Sequence, residues 1–199
     1  VNAGDLEWGH KMHDDLIDAV EWAIRERITG RETVAIMGGS YGGYATLAGL
    51  AFTPELFACG VDIVGPSNLA TLLATVPPYW AAFFENLARR VGDPRTQAGR
   101  ALLQERSPLN SCEAIARPLL IGQGANDPRV KQAESDQIVA AMQAKRLPVI
   151  YALYPDEGHG FARPENRLSF HAVAEAFLAR GRLRPDIDRF AGAAVVTAD

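Results

Sequence analysis

Three polar residues in glycine-rich surroundings could together cleave an acyl bond. Ser40 lies in GGSYGG, Asp127 in GQGANDPRV and His159 in DEGHGF. A serine hydroxyl is a weak nucleophile that needs a base, and a histidine base needs a carboxylate to fix its tautomer. The first hypothesis is therefore nucleophilic catalysis by a Ser-His-Asp triad.

Ser40 is the centre of a Gly-x-Ser-x-Gly pattern between an apolar run and a helical segment. Such a turn holds the serine in a strained conformation and lifts its hydroxyl out of the sheet. We expect side chains at Gly38 and Gly42 to collide with neighbouring chain. A glycine-rich turn without catalysis is the alternative, because the pattern alone is weak, but the strand-turn-helix context favours a nucleophile.

Four histidines could supply the base. His10, His13 and His171 lie in or beside predicted helices, where a structural or solvent-facing role is expected. His10 and His13 could bind a metal, but no further ligand cluster accompanies them, so no metal site is predicted. His159 follows a predicted strand, and we expect its flanking glycines to clear space around the ring, which favours a functional role.

Several carboxylates could orient the base. Asp127 follows the third predicted strand, whereas Asp156 and Glu157 lie so close to His159 in sequence that we expect solvated loop charges. The glycines before Asp127 lack the third glycine of a dinucleotide fingerprint, and no phosphate-binding loop is present. The sequence therefore predicts no cofactor.

The elements that would position these residues alternate between strands and helices. Strands are predicted at residues 33–37, 59–64, 118–121 and 148–154, and helices at 11–28, 42–52, 131–145 and 165–178, with proline-broken helical segments over 67–117. This alternation predicts an α/β fold, a mostly parallel sheet with helices on both faces, and functional residues beyond the carboxyl ends of the strands. Residues 184–199 show no amphipathic period, so we expect a loosely held tail after a domain spanning residues 1–183.

Composition excludes several classes of function. The 199 residues suit one domain, and 48% hydrophobic and 22% charged residues are typical of a globular protein. A net charge of −4 without a basic stripe excludes nucleic acid as an expected partner. No apolar run is long enough for a membrane-spanning helix, so no membrane partner is expected. Cys59 and Cys112 define neither a disulfide framework nor a zinc site. The cytoplasm is the favoured compartment. Because the start, VNAGDLEWG, predicts truncation, the periplasm and secretion stay open.

Four motifs together resemble the C-terminal catalytic domain of the prolyl oligopeptidase family of serine peptidases. They are EWG at residues 7–9, GGSYGGY at 38–44, GQGANDPRV at 122–130 and YPDEGHGF at 154–161. The resemblance covers about residues 7–180 and is greatest to the acylaminoacyl-peptidase-like branch. It implies an α/β-hydrolase fold, whose Ser…Asp…His chain order agrees. Only four strands are predicted, so the chain would hold only the second half of that fold.

The resemblance implies a role for each site residue. Ser40 would be the nucleophile, His159 the general base and then acid, and Asp127 the orienting carboxylate. The backbone N–H of Tyr41 would donate to the oxyanion. Arg129 would grip a substrate carbonyl, and the specificity pocket would be lined by Tyr41, Val64, Trp80 and Val130. A surface ion pair for Arg129 and a core position for Trp80 are the alternatives.

The resemblance leaves three functions open. The first is a serine peptidase acting on short peptides, of acylaminoacyl or dipeptidyl type. The second is a carboxylesterase, because the same triad cleaves esters. The third is a catalytically impaired fragment that associates, for example as a homo-oligomer, through an unpaired sheet edge. The family's second oxyanion donor, a tyrosine, and its β-propeller would precede Val1, and loss of one donor costs about 10²–10³ in turnover, so we expect impaired activity.

Overall fold

Five strands form a single parallel sheet in the computed structural model, which describes residues 2–183 and 194–197. They are β1 (Ala35–Gly39), β2 (Cys59–Ile63), β3 (Leu119–Gly124), β4 (Val149–Tyr154) and β5 (Ala194–Thr197). The strands lie side by side in chain order, and each pairs in parallel with the next. The predicted parallel sheet is confirmed, and its order brings the carboxyl ends of β1 to β4 to one edge.

Seven α-helices lie within the described residues. They are α1 (Lys11–Arg25), α2 (Tyr41–Phe52), α3 (Leu69–Ala74), α4 (Ala81–Arg90), α5 (Gln97–Glu105), α6 (Gln132–Ala144) and α7 (Pro164–Leu183). Short 3-10 helices cover Asn2–Gly4, Arg31–Thr33, Pro78–Trp80 and Pro108–Ala114. In this described part of the chain, no helix combines the length and apolarity that a bilayer crossing requires.

The helices cover both faces of the sheet because the side chains of each strand alternate between them. On one face, Leu119 of β3 packs in a core cluster with Leu47 of α2 and Ile138 of α6. On the other, the neighbouring Leu120 packs with Phe170 of α7. All six residues of β3 are buried, as expected for a central parallel strand. The predicted three-layer α/β arrangement is confirmed.

The carboxyl-terminal segment differs from the prediction. Ala194–Thr197 forms β5, which pairs with β4 from Ile150 opposite Ala194 to Leu153 opposite Thr197. The prediction of four strands followed by a loosely held tail over 184–199 is therefore wrong for residues 194–197. The run AVVT is rich in β-branched residues, but four residues are too few to show a period. The remainder of the predicted tail, 184–193 and 198–199, lies outside the described residues.

Candidate active site

Ser40 joins β1 to α2 in a backbone conformation that residues with side chains rarely adopt. Its φ and ψ are +57° and −116°, and such strain costs roughly 1–3 kcal/mol. The N–H of Ser40 donates to the carbonyl of Ile63 at 2.8 Å, and its carbonyl accepts the N–H of Tyr44 at 3.0 Å. The end of β2 and the first turn of α2 therefore hold the serine in place.

The two glycines of the Gly-x-Ser-x-Gly pattern have unequal roles. A Cβ on Gly38 would lie 2.5 Å from the carbonyl carbon of Gly42. A Cβ on Gly42 would meet no atom within 4 Å. The predicted collision is therefore correct for Gly38 and wrong for Gly42. Gly38 must be glycine because the backbone of Gly42 passes directly over it, which closes the turn tightly enough to project Ser40 outward.

The structure brings the three candidate catalytic residues into one hydrogen-bonded chain. Nε2 of His159 lies 2.9 Å from Oγ of Ser40, and Nδ1 of His159 lies 2.8 Å from Oδ2 of Asp127. The Asp127 carboxylate is buried, and the imidazole is 15% exposed. With Nδ1–H donating to Asp127, Nε2 is free to accept the serine proton, as general-base catalysis requires.

Backbone groups fix the other oxygen of Asp127. Oδ1 accepts the N–H of Arg129 at 2.8 Å and the N–H of Val130 at 2.9 Å. These two donors leave the carboxylate a single orientation, with Oδ2 toward the imidazole. The loop that follows β3 therefore determines the direction in which the acid points.

Glu157 is buried, which corrects the prediction of a solvated loop charge. Its carboxylate accepts the N–H groups of Ala162 and Arg163, each at 2.9 Å, and the side-chain amide of Asn166 at 2.9 Å. Burial raises its pKa, but these hydrogen bonds outweigh that effect and hold the pKa below its ordinary value. Glu157 therefore organises the loop that presents His159. No sequence pattern indicates this role, because two of its partners lie in the loop before α7 and the third lies in the first turn of α7.

The glycines beside His159 also act differently from the prediction. A Cβ on Gly160 would meet nothing within 4 Å, and one on Gly158 would only touch the Asn126 carbonyl at 4.0 Å, so neither clears space around the ring. Gly160 instead has φ +104°, a conformation that favours glycine. The close approach lies elsewhere: a Cβ on Gly124 would be 2.2 Å from the carbonyl oxygen of Gly158. The acid and base loops thus pack backbone to backbone.

A cavity of about 150 Å³ opens beside Ser40 and His159. Four of the five residues predicted to bind substrate line it, namely Tyr41, Trp80, Arg129 and Val130. The other lining residues are Trp8, Pro66, Leu72, Val76, Pro77, Phe83 and Leu87, which sequence reasoning did not assign to the pocket. Most are apolar and come from α3, α4 and the segment between them. The surface beside the nucleophile therefore suits an apolar substrate group.

Val64 is the predicted pocket residue that the cavity does not include. It is 3% exposed and has φ +49°, a strained value for a β-branched residue, immediately after β2. Its N–H donates to the carbonyl of Gly122 at 2.8 Å. Val64 therefore shapes the turn that carries Pro66 into the cavity wall, and does not itself form that wall.

For the residues it describes, the structure shows neither a surface ion pair for Arg129 nor a core position for Trp80. Arg129 is exposed at the cavity and forms no ion pair within residues 2–183 and 194–197. Trp80 is partly buried, with edge-to-face contacts to Tyr79 and Phe83 at centroid distances of 5.9 and 5.8 Å. Both side chains are therefore available at the cavity.

Tyr41 and Trp8 both line the cavity beside Ser40. The Tyr41 ring packs on Trp8 with centroids 4.6 Å apart. Tyr41 is the first residue of α2, so its N–H has no acceptor within the helix and lies next to Ser40. That N–H lies at the positive end of the helix, an end that favours negative charge.

The remaining histidines lie away from this chain of hydrogen bonds. His10 contacts Oε2 of Glu7 through Nδ1 at 2.7 Å, and Nε2 of His13 lies 3.1 Å from the hydroxyl of Thr53. Burial lowers the pKa of His13. His171 lies on α7 beside the exposed Met37. Their positions agree with structural or solvent-facing roles.

Comparison with protein families matches residues 1–181 to the prolyl oligopeptidase family. The chain is 68% identical over 198 residues to dipeptidyl aminopeptidase BIII of Pseudoxanthomonas mexicana, covering 98% of this chain and 29% of that protein. It is 57% identical over 179 residues to dipeptidyl peptidase family member 6 of Caenorhabditis elegans, covering 89% and 24%. A solved Mycobacterium tuberculosis puromycin-hydrolyzing peptidase superposes with a TM-score of 0.82 at 26% identity, covering 99% and 29%.

These similarities and the arrangement of the site place the chain in a class of α/β-hydrolase-like proteins. The chain belongs to the prolyl oligopeptidase family, as the sequence motifs predicted. It spans less than a third of the length of the relatives described above.

Proposed function

We propose that the chain forms the catalytic part of a serine peptidase that cleaves short peptides through an acyl-enzyme on Ser40. The observation that carries the proposal is the continuous chain from Oγ of Ser40 through His159 to Asp127, at 2.9 and 2.8 Å. A buried carboxylate, an imidazole in a defined orientation and a strained serine are the three parts that acyl transfer by serine requires.

The geometry supports the following reaction. His159 Nε2 takes the Ser40 proton as Oγ attacks the substrate carbonyl, and the Tyr41 N–H donates to the oxyanion. The tetrahedral intermediate collapses when the same Nε2 gives that proton to the leaving amine, which leaves an ester on Oγ. Water, deprotonated by His159, then releases the acid and restores the serine. Asp127 stabilises the imidazolium in both halves.

The cavity indicates which residue would precede the scissile bond. A dry apolar cavity of about 150 Å³ accommodates benzene in another protein, and this cavity has a similar volume. Its lining residues include no carboxylate. We therefore expect an apolar residue, up to the size of phenylalanine, to be preferred over lysine or arginine.

Two observations favour peptides over simple esters. The exposed guanidinium of Arg129 lies at the cavity, where its donors can bind a second carbonyl of the substrate backbone. The relatives at 68% and 57% identity are named a dipeptidyl aminopeptidase and a dipeptidyl peptidase family member, which favours the dipeptidyl type over the acylaminoacyl type.

A fluorophosphonate probe and three chromogenic substrates test the proposal. We expect the probe to label the chain, Ser40→Ala to abolish labelling, and Ser111→Ala, outside the site, to leave it unchanged. The three substrates are a dipeptidyl p-nitroanilide, an N-acyl-amino-acid p-nitroanilide and a p-nitrophenyl ester. When kcat/KM is divided by the rate of uncatalysed hydrolysis of each substrate, the dipeptidyl anilide should give the highest value. Turnover of the ester alone would support a carboxylesterase instead. No labelling of the unaltered chain would support the impaired fragment.

A further inference from the structure

A carboxyl group that the proposed reaction does not use lies against the first turn of α2, the helix that follows Ser40. Asp62 is on β2, opposite Gly38 of β1, and is fully buried. Its Oδ1 accepts the N–H of Gly65 at 2.8 Å. Its Oδ2 is buried without a hydrogen-bond partner within the described part of the chain. A half-satisfied buried carboxyl is costly, and such groups call for an explanation.

Asp62 fills a contact between the first turn of α2 and the turn after β2. A Cβ on Gly43 would lie 2.2 Å from Oδ1 of Asp62 and 2.7 Å from the Cα of Gly65. A Cβ on Gly65 would lie 2.3 Å from the same oxygen. Only glycines at these two positions let the carboxyl group reach its site. Gly43 is the third residue of α2, so the contact supports the same turn that presents Ser40 and the Tyr41 N–H.

We propose that Asp62 is a positioning residue for Ser40, whose carboxyl group supports the first turn of α2 and whose charge state modulates the oxyanion site at that turn. This role rests on the proposed function. It differs from the roles of Asp127 and His159 because Asp62 contacts neither the nucleophile oxygen nor the cavity.

The electrostatic part follows from the position of the carboxyl group. The amino end of α2 is positive and faces the developing oxyanion. An ionised Asp62 beside that end would partly cancel its potential, whereas a neutral Asp62 would not. Interactions of this kind with a helix end are typically worth a few-fold to about tenfold in an equilibrium or rate. Ionised Asp62 should therefore slow acylation.

Ionisation of Asp62 falls within the working range of a serine peptidase. Burial raises its pKa from 3.8 to about 7, against the lowering effect of the Gly65 N–H. Titration near neutrality is therefore expected from the position of the group.

Among the described residues, the neighbouring strands β1 and β3 and the helix α2 contain no Asp, Glu, Lys, Arg or His, and the titratable groups on α2 are the phenols of Tyr41 and Tyr44. The charged residues of α7, which include Glu165, Arg167 and His171, belong to the helix that packs with Val61 on the opposite face of β2. Burial raises the pKa of both phenols, and that of the Cys59 thiol on β2 to about 11, so all three stay neutral near pH 7.

One more carboxyl group contacts the turn after β2. Glu134 on α6 accepts the N–H groups of Ser67 and Asn68, and burial raises its pKa. Because Glu134 is unchanged in a variant at position 62, comparing that variant with the unaltered chain isolates the contribution of Asp62.

The test is the pH dependence of the chain and of Asp62→Asn, an exchange of nearly equal volume that keeps an acceptor for Gly65. We expect kcat and the rate of fluorophosphonate labelling of the unaltered chain to carry a fall of about three- to tenfold as pH rises through about 7. Asp62→Asn should lack that fall, with KM changed less than twofold. Asp18→Asn, an exposed carboxylate on α1, should retain it.

A second measurement needs no variant. Carbon-13 labelling of the aspartate carboxyl groups should show one resonance that titrates near pH 7 in the folded chain. Coincident pH profiles of Asp62→Asn and the unaltered chain, or no aspartate titrating near neutrality, would overturn the role of Asp62. If the unaltered chain does not react with the probe at all, the proposed function fails first, and the positioning role fails with it.

Discussion

Exchange of Asp127 for asparagine should disable the site through the wrong histidine tautomer. Oδ1 of Asp127 accepts two backbone N–H groups, from Arg129 and Val130. In Asp127→Asn, the amide oxygen must occupy that position, because the NH₂ group cannot face two donors. The NH₂ group then points at Nδ1 of His159 and donates to it. His159 must carry its proton on Nε2, the nitrogen that should accept the proton of Ser40.

The structure sets the size of this effect. Flipping the amide would restore the correct tautomer, but it would leave one buried and one partly buried backbone donor unsatisfied, at about 1–3 kcal/mol each. The wrong orientation is thus favoured by about 2–6 kcal/mol, and the competent form falls to a few per cent or less. Loss of the negative charge that stabilises the imidazolium adds to this. The same exchange in another serine protease lowers kcat about 10⁴-fold, and we expect a loss of 10³–10⁴ here.

The assay is the second-order rate of fluorophosphonate labelling beside p-nitroanilide turnover, each at pH 7 and at pH 9. Raising the pH should not restore Asp127→Asn, since the tautomer is set by hydrogen bonding. Asp18→Asn serves as the control for removal of one negative charge. Activity of Asp127→Asn within tenfold of the unaltered chain, with the fold intact by circular dichroism, would refute the tautomer argument.

Three further predictions concern stability and the turns. The folded-state pKa of Asp62, about 7, is raised above the unfolded value of 3.8, so its contribution to the free energy of unfolding should fall by about 4 kcal/mol as pH rises from 4 to above 7. The free energy of unfolding of Asp62→Asn, measured with urea, should lack this decline. An equal change of that free energy with pH in both proteins would contradict the prediction. Gly38→Ala should lose about 1–3 kcal/mol and most probe labelling through its clash with Gly42, while Gly42→Ala should retain both. Glu157→Ala should reduce labelling at least tenfold by releasing the His159 loop, whereas Asp156→Ala, on the exposed side of that loop, should change it less than threefold.

The sequence predicts that the three candidate catalytic residues lie together because each is tied to a local pattern. Ser40, Asp127 and His159 all follow strands of the predicted sheet, and parallel strands place their carboxyl ends together. Strand and helix positions were correct to within a few residues wherever the apolar period was long. The exception, β5, has only four residues, and its place beside β4 depends on pairing that no local pattern encodes.

The supporting residues could not be predicted because their roles depend on contacts that no local sequence pattern encodes. The walls of the cavity include Trp8 from the amino terminus and Phe83 from α4, and apolar residues at such positions look identical to core residues in the sequence. Glu157 lies beside His159 but bonds to Ala162, Arg163 and Asn166. The buried carboxyl of Asp62 occurs within an apolar strand pattern that gives no indication of Gly43 above it.

The strand order explains why the histidine loop needs so much support. β1 and β4 are separated by β2 and β3, so strand spacings of about 4.8 Å place them roughly 14 Å apart. The loop leaving β4 must therefore bring His159 back across two strand ends to reach Ser40. Asp127, which follows β3, meets the imidazole on the way, and its neighbour Asn126 donates its N–H to the carbonyl of Glu157 at 2.9 Å. Asp127 follows a strand that lies between the strands of Ser40 and His159. Its loop can therefore hold the returning loop in place and orient the imidazole ring at the same time.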